Sequence, residues 1–284
     1  MLDNIFYNYK INCVQISLTS ILKQIMNFMP LIIYLKLKKF IFFLFNYKKY
    51  KSYQHSRKKI NSEFYSLQPF DRSKSIFIHI PKCAGVSITK HFYKNYAGGH
   101  KTLKDYSLIF SSNEILNYYK FSVVRNPWDR LVSSYHFLSG GGFNKEDAIW
   151  SKKNLAKYDD FNHFVKRWVC KSNLFRYIHF YPQYYFISSS HIKLKINYLM
   201  FFENLAEDIK IISKKLKIQS KLLHINKSSH KNYKNYYDEE SKSIVSSVYS
   251  EDIKLFGYDF DNSSLQAQIK KRNNFELPYQ YNDF

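Results

Sequence analysis

A lysine, a hydroxyl group and two small residues stand close together in one short stretch of the sequence. Pro81 ends an apolar run, and Lys82, Ala84, Gly85 and Ser87 follow it where a helical pattern begins. The first turn of a helix offers unpaired backbone N–H groups and the positive end of the helix dipole. Beside a lysine, such groups bind an anion. The spacing therefore predicts a phosphate- or sulfate-binding loop, and an ordinary strand-to-helix turn is the alternative.

This loop differs from the nucleotide loop of the common ATPases. The sequence has no GxxxxGK[ST] pattern, which places the lysine and the hydroxyl of that loop next to each other. An anion site here would depend on backbone N–H groups, a helix N-terminus and Lys82.

A second cationic group stands where another strand should end. Arg125 follows the apolar residues 121–124 directly, and Asn126 and Pro127 suit the N-cap and the first position of the next helix. Ligands of open α/β sheets bind at the carboxyl ends of strands, and a guanidinium grips phosphate with parallel N–H groups. Arg125 is therefore a candidate phosphate ligand. Ser133, about two turns along the helix, reaches the same crevice only if the strand and the helix pack back to back.

A parallel sheet is needed to bring these positions together. Apolar runs at 76–80, 121–124 and 196–202 predict buried strands, and helical patterns separate them. We therefore expect an α/β fold with a central parallel sheet flanked by helices. His79, inside the first strand, is interpreted as a core residue. Glu203, after the third strand, is interpreted as the start of an amphipathic helix.

Other segments are expected to surround the sheet. Asp160 should cap a helix whose apolar residues 161–168 form a core-facing stripe. The glycines at 140–142 should end the helix before it, and the polar segment from there to Lys157 is predicted to be a mobile surface loop. Residues 226–233 are predicted to form a basic loop before the last helical stretch.

Composition divides the chain into three regions. Residues 1–70 form a basic and apolar arm, residues 71–260 one α/β domain, and residues 261–284 a polar tail that we expect to be loosely held. The high aromatic content of 19% and the few glycines and prolines exclude a disordered chain. The formal net charge of +22 favours anionic partners: a nucleotide, acidic lipid, polyanionic glycan or nucleic acid.

Cysteine usage indicates a reducing compartment. Cys13, Cys83 and Cys170 have neither an even count nor the spacing of a zinc site. We therefore expect free thiols and a cytoplasmic protein.

The arm alternates apolar runs with lysines. Its longest clean apolar run, residues 25–35, is shorter than the roughly 20 residues that span a bilayer. Between Leu31 and Ile60 the sequence has many lysines and one arginine but no acid. This composition is typical of an element that lies on an anionic membrane surface, here the inner face of the membrane. A core-covering helix pair and a single-pass signal anchor are the alternatives, and we expect no cleavable signal peptide.

Two motifs of the chain resemble the signatures of the sulfotransferases. They are His79-Ile-Pro-Lys-Cys-Ala-Gly-Val-Ser-Ile88 and Val124-Arg-Asn-Pro-Trp-Asp-Arg-Leu-Val-Ser-Ser-Tyr135. They are most similar to those of carbohydrate sulfotransferases with an H-I-P-K-T-A-G-T-S type loop. Pro182-Gln183, Phe202-Glu203 and Phe256-Gly-Tyr258 are also similar to bacterial members of the family. The resemblance covers about residues 75–260.

The resemblance implies a P-loop-NTPase-like fold and the donor 3′-phosphoadenosine 5′-phosphosulfate (PAPS), which leaves as 3′,5′-ADP (PAP), and no metal is expected. Carried over by position, the loop from Lys82 to Ser87 cradles the 5′-phosphosulfate, and Arg125 and Ser133 bind the 3′-phosphate. Cys83 and Val86 stand where the family often has threonine. Two hydroxyl donors are thereby lost, and backbone N–H groups must carry more of the binding.

Transfer to an acceptor hydroxyl group also needs a general base. Lys82 would contact the bridging oxygen as PAP departs, and His100, in the loop after the first helix, is the predicted base. A surface role without catalysis is the alternative for His100. His91, His136 and Asp105 are weaker candidates for the base.

The sequence thus predicts an enzyme that moves a sulfuryl group from PAPS to a hydroxyl of a carbohydrate, such as a polysaccharide or glycolipid. A nucleotide-dependent phosphotransferase is one alternative, but it would need Mg²⁺ ligands, and no acidic pair is placed for them. A basic nucleic-acid or membrane binding module is another. No nucleic acid is expected as partner, because the lysines concentrate in the arm without a recognition motif. We expect the acceptor to be selected by surface loops such as residues 139–157.

Overall fold

The computed structural model describes residues 29–59, 64–189, 194–218 and 231–272. Cys13, residues 226–230 of the expected basic loop and residues 273–284 of the tail lie outside the described residues. Cys83 and Cys170, which lie inside them, are free thiols as expected.

Three parallel strands form the centre of the structure. They are β1 (Ser75–Ile78), β2 (Tyr119–Val124) and β3 (Tyr198–Phe201), in the spatial order β1-β2-β3. The register pairs Phe77 with Phe121 and Val123 with Met200. Because both pairings are parallel, the carboxyl ends of all three strands meet at one edge of the sheet. The predicted α/β fold with a parallel sheet flanked by helices is confirmed.

Helices pack around this sheet and also form a second layer beside it. They are α1 (Leu31–Phe45), α2 (Tyr47–Lys58), α3 (Gln68–Ser73), α4 (Gly85–Tyr93), α5 (Leu103–Ile109), α6 (Ser112–Asn117), α7 (Pro127–Ser139), α8 (Lys145–Asn154), α9 (Phe161–Trp168), α10 (Gln183–Ile187), α11 (Leu205–Leu216), α12 (Glu239–Val248), α13 (Ser250–Phe256) and α14 (Leu265–Lys271). Short 3-10 turns lie at Leu174–Arg176, Ile178–Phe180, Phe202–Asn204 and Tyr233–Tyr236.

Two hydrophobic clusters hold these elements together. The first surrounds the sheet and includes Phe121 and Met200. The second lies among the helices that follow β2 and includes Trp128, Phe164 and Phe180. Helix α7 starts at the sheet edge and contributes its apolar side to the second cluster, so it connects the sheet edge with this second layer.

The predicted helix caps are confirmed. The side chain of Asn126 accepts hydrogen bonds from the backbone N–H groups of Trp128 (3.0 Å) and Asp129 (3.4 Å) at the start of α7. Asp160 accepts one from the backbone N–H of His163 (2.8 Å) at the start of α9. These caps satisfy N–H groups that have no partner within the helix and fix where each helix begins.

The prediction of a mobile loop up to Lys157 was wrong. The segment contains helix α8, which begins where the Asn144 side chain accepts a hydrogen bond from the backbone N–H of Asp147 (2.8 Å). The carboxylate of Asp147 also accepts one from the backbone N–H of Phe143 (2.8 Å). The apolar pattern of α8 is weak because most of its residues are exposed, so periodicity did not reveal it.

The connection between α4 and β2 also contains helices that were not predicted. Helices α5 and α6 each begin with a reciprocal capping box, formed by Thr102 with Asp105 and by Ser111 with Glu114. Each capping box fixes the start of a short helix, so α5 and α6 form before the chain enters β2.

The arm covers the core as a helix pair. Tyr34 and Leu35 of α1 are buried in the cluster around the sheet. Arg57 of α2 forms ion pairs with Asp71 (2.9 Å) and Glu114 (2.5 Å). The core-covering alternative therefore holds for residues 31–58, whereas a contact of the outer side with a membrane stays a prediction. The division of the chain at residues 70 and 260 also stays a prediction.

Part of the C-terminal tail is held more firmly than expected. Helix α14 packs against the cluster around the sheet through Leu265 and Ile269. After it, Arg272 is ion-paired with the buried Asp208 and donates a hydrogen bond to the Tyr198 hydroxyl. Up to Arg272, the tail is thus part of the folded domain.

None of the helices in the described part of the chain combines the length and the hydropathy that crossing a bilayer requires.

Candidate active site

The loop between β1 and α4 is shaped for an anion by its backbone. Lys82 and Ala84 have left-handed backbone conformations, with φ of 67° and 59°. Such turns arrange successive backbone N–H groups around a concave space. Ala84 is the N-cap residue of α4 and makes no side-chain cap. The first-turn N–H groups of the helix are therefore left for a ligand.

Gly85 allows the start of α4 to lie directly against the end of β1. A Cβ atom at this position would stand 1.8 Å from Cδ2 of His79, far closer than any real contact. The imidazole of His79 is buried, and burial holds its pKa well below the ordinary value. The interpretation of His79 as a core residue is confirmed. Its ring packs against Gly85 at the start of α4.

Lys82 places a partly dehydrated ammonium group at the loop. Its Nζ lies 3.8 Å from the centroid of the Phe137 ring. Burial, reinforced by the positive charge of Arg125, lowers the pKa of Lys82 to about 8. The charged form of Lys82 thus lacks solvation in the free protein, and an anion in the loop would stabilise it.

Arg125, the second predicted anion ligand, contacts this loop directly. Its NH1 donates a hydrogen bond to the backbone oxygen of Lys82 (3.0 Å), and its Nε donates one to Asp129 (2.8 Å). Its guanidinium lies 4.1 Å from the centroid of the Phe202 ring. The structure therefore brings the two predicted anion-binding points, Lys82 and Arg125, into direct contact.

Ser133 lies on the helix face that meets Arg125. Asp129 and Ser133 are four residues apart on α7, so their side chains lie one above the other. Because Asp129 binds Arg125, this is the face that packs back to back against the end of β2. Ser133 is buried, so its hydroxyl group would serve a ligand at this edge and not bulk water.

The remaining loop residues differ in what they can offer. The Cys83 thiol is buried and donates a hydrogen bond to the Gln183 side-chain oxygen (3.4 Å), and burial raises its pKa to about 12. Only the backbone of Cys83 is therefore suited to a ligand. Val86 is exposed and has no polar group, whereas the hydroxyl of Ser87 lies in the first turn of α4.

Gln183 is a site residue that the motif pair did not single out. It is fully buried, and its side-chain amide accepts a hydrogen bond from the Arg125 N–H (2.8 Å) and donates one to the Arg125 oxygen (2.8 Å). Asp252 accepts hydrogen bonds from the backbone N–H groups of Gln183 (2.7 Å) and Tyr184 (2.9 Å). This arrangement fixes the backbone from which Arg125 extends.

Arg130 has a supporting role. It is almost completely buried and donates hydrogen bonds to the backbone oxygens of Pro81 (3.0 Å) and His179 (3.3 Å). Ser134, one turn later, donates a hydrogen bond to the same His179 oxygen (3.0 Å). Helix α7 thus holds the anion loop and the segment around His179 in one frame.

Glu203 also belongs to this frame. Its carboxylate accepts hydrogen bonds from the backbone N–H of Asn126 (2.7 Å) and the Tyr258 hydroxyl (3.0 Å), and burial raises its pKa. It lies in the short turn before α11, as its interpretation as a helix-start residue requires.

His100 lies beside the loop. Its Nδ1 is 3.2 Å from the backbone oxygen of His79. A carbonyl oxygen only accepts hydrogen bonds, so Nδ1 carries the proton and the lone pair is on Nε2. Burial, together with the charge of a protonated His179, lowers the pKa of His100 to about 4. At neutral pH the imidazole of His100 is therefore uncharged and able to accept a proton.

The other candidates for the base have structural roles. Asp105 accepts hydrogen bonds from the Thr102 backbone (2.9 Å) and from the Tyr53 hydroxyl. His136 packs against the ring of Tyr236 in the second cluster, with centroids 4.8 Å apart. His91 packs against Phe92 on the side of α4.

A histidine and a carboxylate that the sequence did not indicate lie next to His100. The His179 ring centroid is 6.0 Å from that of His100 and 5.0 Å from that of Phe137. His179 Nε2 lies 3.4 Å from the carboxylate of Asp147, which also accepts a hydrogen bond from the Tyr177 hydroxyl. The other ring nitrogen of His179, Nδ1, is buried without a hydrogen-bond partner among the described residues.

The pKa values of this pair follow from burial and mutual contact. Burial lowers the pKa of His179, although Asp147 opposes the shift. For Asp147, burial raises the pKa, but the hydrogen bonds from His179, Tyr177 and Phe143 outweigh it and leave the pKa well below its ordinary value. Asp147 is therefore ionised and orients His179 through Nε2. Only the Asn144 cap signal before α8 could have pointed to this carboxylate.

Among the residues that the structure describes, no three His, Cys, Asp or Glu side chains are grouped as metal ligands.

One comparison with known proteins identifies the family. A model of the sulfotransferase family matches residues 69–259, which is more than half of the chain. The chain belongs to the sulfotransferase family. No curated protein and no solved structure matches it. The matched residues of this sulfotransferase include the anion loop, Arg125, His100, the Asp147–His179 pair and Gln183.

An aromatic rim borders the candidate base of the sulfotransferase. We define it as Phe64, Tyr65, Tyr96 and Phe143. The rings of Phe64 and Tyr96 are stacked with centroids 4.9 Å apart, and those of Tyr96 and Phe143 are 6.1 Å apart. Phe143 and Phe64 are more than half exposed, at 59% and 56%. Tyr65 packs beside Gly99, next to His100. The rim thus offers exposed ring surface at the site.

Proposed function

We propose that this sulfotransferase transfers the sulfuryl group of PAPS to a hydroxyl group of a carbohydrate. The observation that carries the donor assignment is the contact between Arg125 and the backbone of Lys82 (3.0 Å), beside a helix start without a side-chain cap. Two cationic side chains and a set of backbone N–H groups suit a ligand with more than one anionic group. PAPS is such a ligand.

The chain has groups for both ends of the donor. The loop from Lys82 to Ser87 would hold the 5′-phosphosulfate, and Arg125 with Ser133 would hold the 3′-phosphate. A guanidinium has five N–H groups, and the hydrogen bonds to Asp129 and to the Lys82 oxygen use two of them. Arg125 thus keeps N–H groups for a phosphate while its orientation is fixed.

PAPS, when bound, supplies an activated sulfuryl group on a phosphate. Lys82 would neutralise the negative charge that grows on the departing phosphate oxygen, and its dehydrated ammonium group does this better than a hydrated one. His100 would accept the proton of the acceptor hydroxyl at Nε2. The His79 oxygen holds the opposite nitrogen of that ring, so the lone pair keeps one direction. Asp147 would stabilise positive charge that develops among the two histidines.

The aromatic rim supports a carbohydrate as acceptor. Sugar rings present weakly positive C–H groups that pack on the negative face of an aromatic ring. Tyr96 and Phe143 offer such faces near His100, and Lys90 Nζ lies 5.0 Å from the centroid of the Tyr96 ring. A cation beside this half-buried ring favours a glycan that already has acidic groups.

Thermal unfolding with PAP tests the donor assignment. At a hundredfold excess over the dissociation constant, PAP should stabilise the protein by about 2.7 kcal/mol, which raises Tm by roughly 5 to 10 °C. Lys82→Ala and Arg125→Ala should lose most of this shift, whereas Lys152→Ala, an exposed lysine on α8, should keep it. A shift with ATP and Mg²⁺ but none with PAP would contradict the proposal.

Transfer of labelled sulfate from PAPS to a panel of acceptors tests whether the acceptor is a carbohydrate. Glycans should be labelled, and Tyr96→Ala should raise KM for the glycan at least severalfold without changing the PAP shift. Labelling of simple phenols or alcohols in place of glycans would refute the carbohydrate assignment and leave the donor assignment intact.

A further inference from the structure

An apolar face is exposed along the whole length of α1. One side of this helix is buried in the core through Tyr34 and Leu35. The other side exposes large apolar side chains, among them Phe40 at 57% and Leu44 at 55%, and Phe45, the last residue of the helix, is 80% exposed. Ile33, Leu37 and Phe43 belong to the same exposed face. A 15-residue helix is about 22 Å long, so this is a continuous stripe and not a set of scattered residues.

A basic face follows directly on α2. Lys48, Lys51, His55 and Lys58 are spaced three or four residues apart, so they share one side of the helix, and all are exposed. The acids that lie against α2 do not neutralise this side. Asp71 and Glu114 pair with Arg57, and Asp105 accepts a hydrogen bond from the Tyr53 hydroxyl, all on the side facing the domain. The sequence has no acid from Leu31 to Ile60.

The apolar and the basic face are joined where the two helices meet. The Phe43 ring contacts the rings of Tyr47 and Tyr50 edge-on, with centroids 5.4 and 5.3 Å apart. An open groove of about 420 Å³ at this point is lined by Lys36, Lys39, Phe40, Phe43, Tyr50 and three residues at the start of α6. Ammonium groups and exposed rings thus stand side by side, as at the boundary between lipid headgroups and acyl chains.

We propose that α1 and α2 form a docking surface for a lipid bilayer with anionic headgroups. The exposed side of α1 would lie among the first carbons of the acyl chains, and Lys48, Lys51 and Lys58 would contact the headgroup phosphates. An amphipathic surface of this kind binds by apolar burial together with electrostatic attraction. The proposal is independent of the sulfotransfer reaction.

The chemistry favours a bilayer over the other occupants. A nucleic acid would use the lysines but leave the side chains of Phe40, Leu44 and Phe45 exposed to water. A second copy of the chain, packed with the same face, would bring lysine against lysine. An anionic bilayer satisfies both faces at once.

Cosedimentation of the full chain with vesicles tests the surface. Vesicles of phosphatidylcholine with 30% phosphatidylglycerol should bind the protein, and pure phosphatidylcholine should bind it at least tenfold more weakly. Phe40→Ser with Leu44→Ser should reduce binding to the anionic vesicles at least tenfold. Phe175→Ser with Ile211→Ser removes exposed apolar groups elsewhere and should change nothing.

The charge contribution has its own matched pair. A lysine near an anionic surface contributes a factor of about five, so Lys48→Glu with Lys51→Glu should weaken binding by at least about twenty-five-fold. Lys152→Glu with Lys153→Glu changes the net charge equally and should weaken it far less. Equal effects of the two double variants, or no binding of the original protein to anionic vesicles, would overturn the proposal.

A direct measurement of insertion does not depend on the loss of binding. In Phe40→Trp, the new indole should be quenched by brominated acyl chains, because residue 40 would lie among them. Absence of quenching in the bound state would overturn the proposal, as would a dimer in light scattering that Phe40→Ser with Leu44→Ser converts to a monomer while vesicle binding is unchanged.

Discussion

The affinity of the sulfotransferase for PAP should fall between pH 7 and pH 9 because of one residue, Lys82. Burial and the nearby Arg125 lower the pKa of Lys82 from 10.5 to about 8. An anion in the loop raises that pKa again, so binding above pH 8 draws a proton from solution. If PAP binds the charged form, affinity follows its fraction, which falls from about 0.9 at pH 7 to about 0.1 at pH 9. The dissociation constant should therefore rise about tenfold.

Titration calorimetry in two buffers with different heats of ionisation measures this proton directly. At pH 8 about half a proton should be taken up for each PAP bound. Neighbouring groups do not interfere, since the pKa of Cys83 is about 12 and that of His100 about 4. The phosphates of PAP titrate near pH 6, below the window.

Lys82→Arg is the control, because a guanidinium stays charged throughout the range. It should bind PAP with little change between pH 7 and pH 9, even if its affinity is lower at both. A pH-independent affinity in the original protein, or the same tenfold change in Lys82→Arg, would refute the assignment of this proton to Lys82.

Two further perturbations separate the parts of the site. Gly85→Ala should remove the PAP-induced rise in Tm and lower the free energy of unfolding by about 1 to 3 kcal/mol, because the new Cβ would overlap the His79 ring. Combining Gly85→Ala with His79→Ala should recover part of both losses. If nothing is recovered, the overlap with the His79 ring is not the cause. His100→Ala should keep the PAP affinity but lower kcat at least a hundredfold, and a normal kcat would remove this residue from the mechanism. Asp147→Asn should lower kcat about tenfold and change its pH profile through His179.

The sequence was sufficient where local chemistry decides the structure. The end of β2, the Asn126 cap and the proline after it mark one strand-to-helix junction, and Lys82 to Ser87 mark another. Parallel pairing then brings both junctions to one edge without further information. The neighbourhood of Lys82 and Arg125 was therefore predictable.

The features that the sequence did not reveal depend on contacts between distant parts of the chain. His179 meets Asp147 only because Arg130 and Ser134 hold the His179 backbone against α7, and nothing in the local sequence indicates this. The core side of α1 was hidden for the opposite reason. Apolar residues occur on every side of this helix, with lysines among them, so periodicity could not separate Tyr34 and Leu35 from the exposed apolar side chains.

His79 contacts both the anion loop and His100. Its ring blocks the space beside Gly85 at the start of the anion loop, and its backbone oxygen holds Nδ1 of His100. A donor that displaced the first turn of α4 towards β1 would press on this imidazole, and His79 would transmit the displacement to His100. We therefore expect filling of the loop to be coupled to the orientation of His100, so that in the proposed reaction the donor binds before the acceptor.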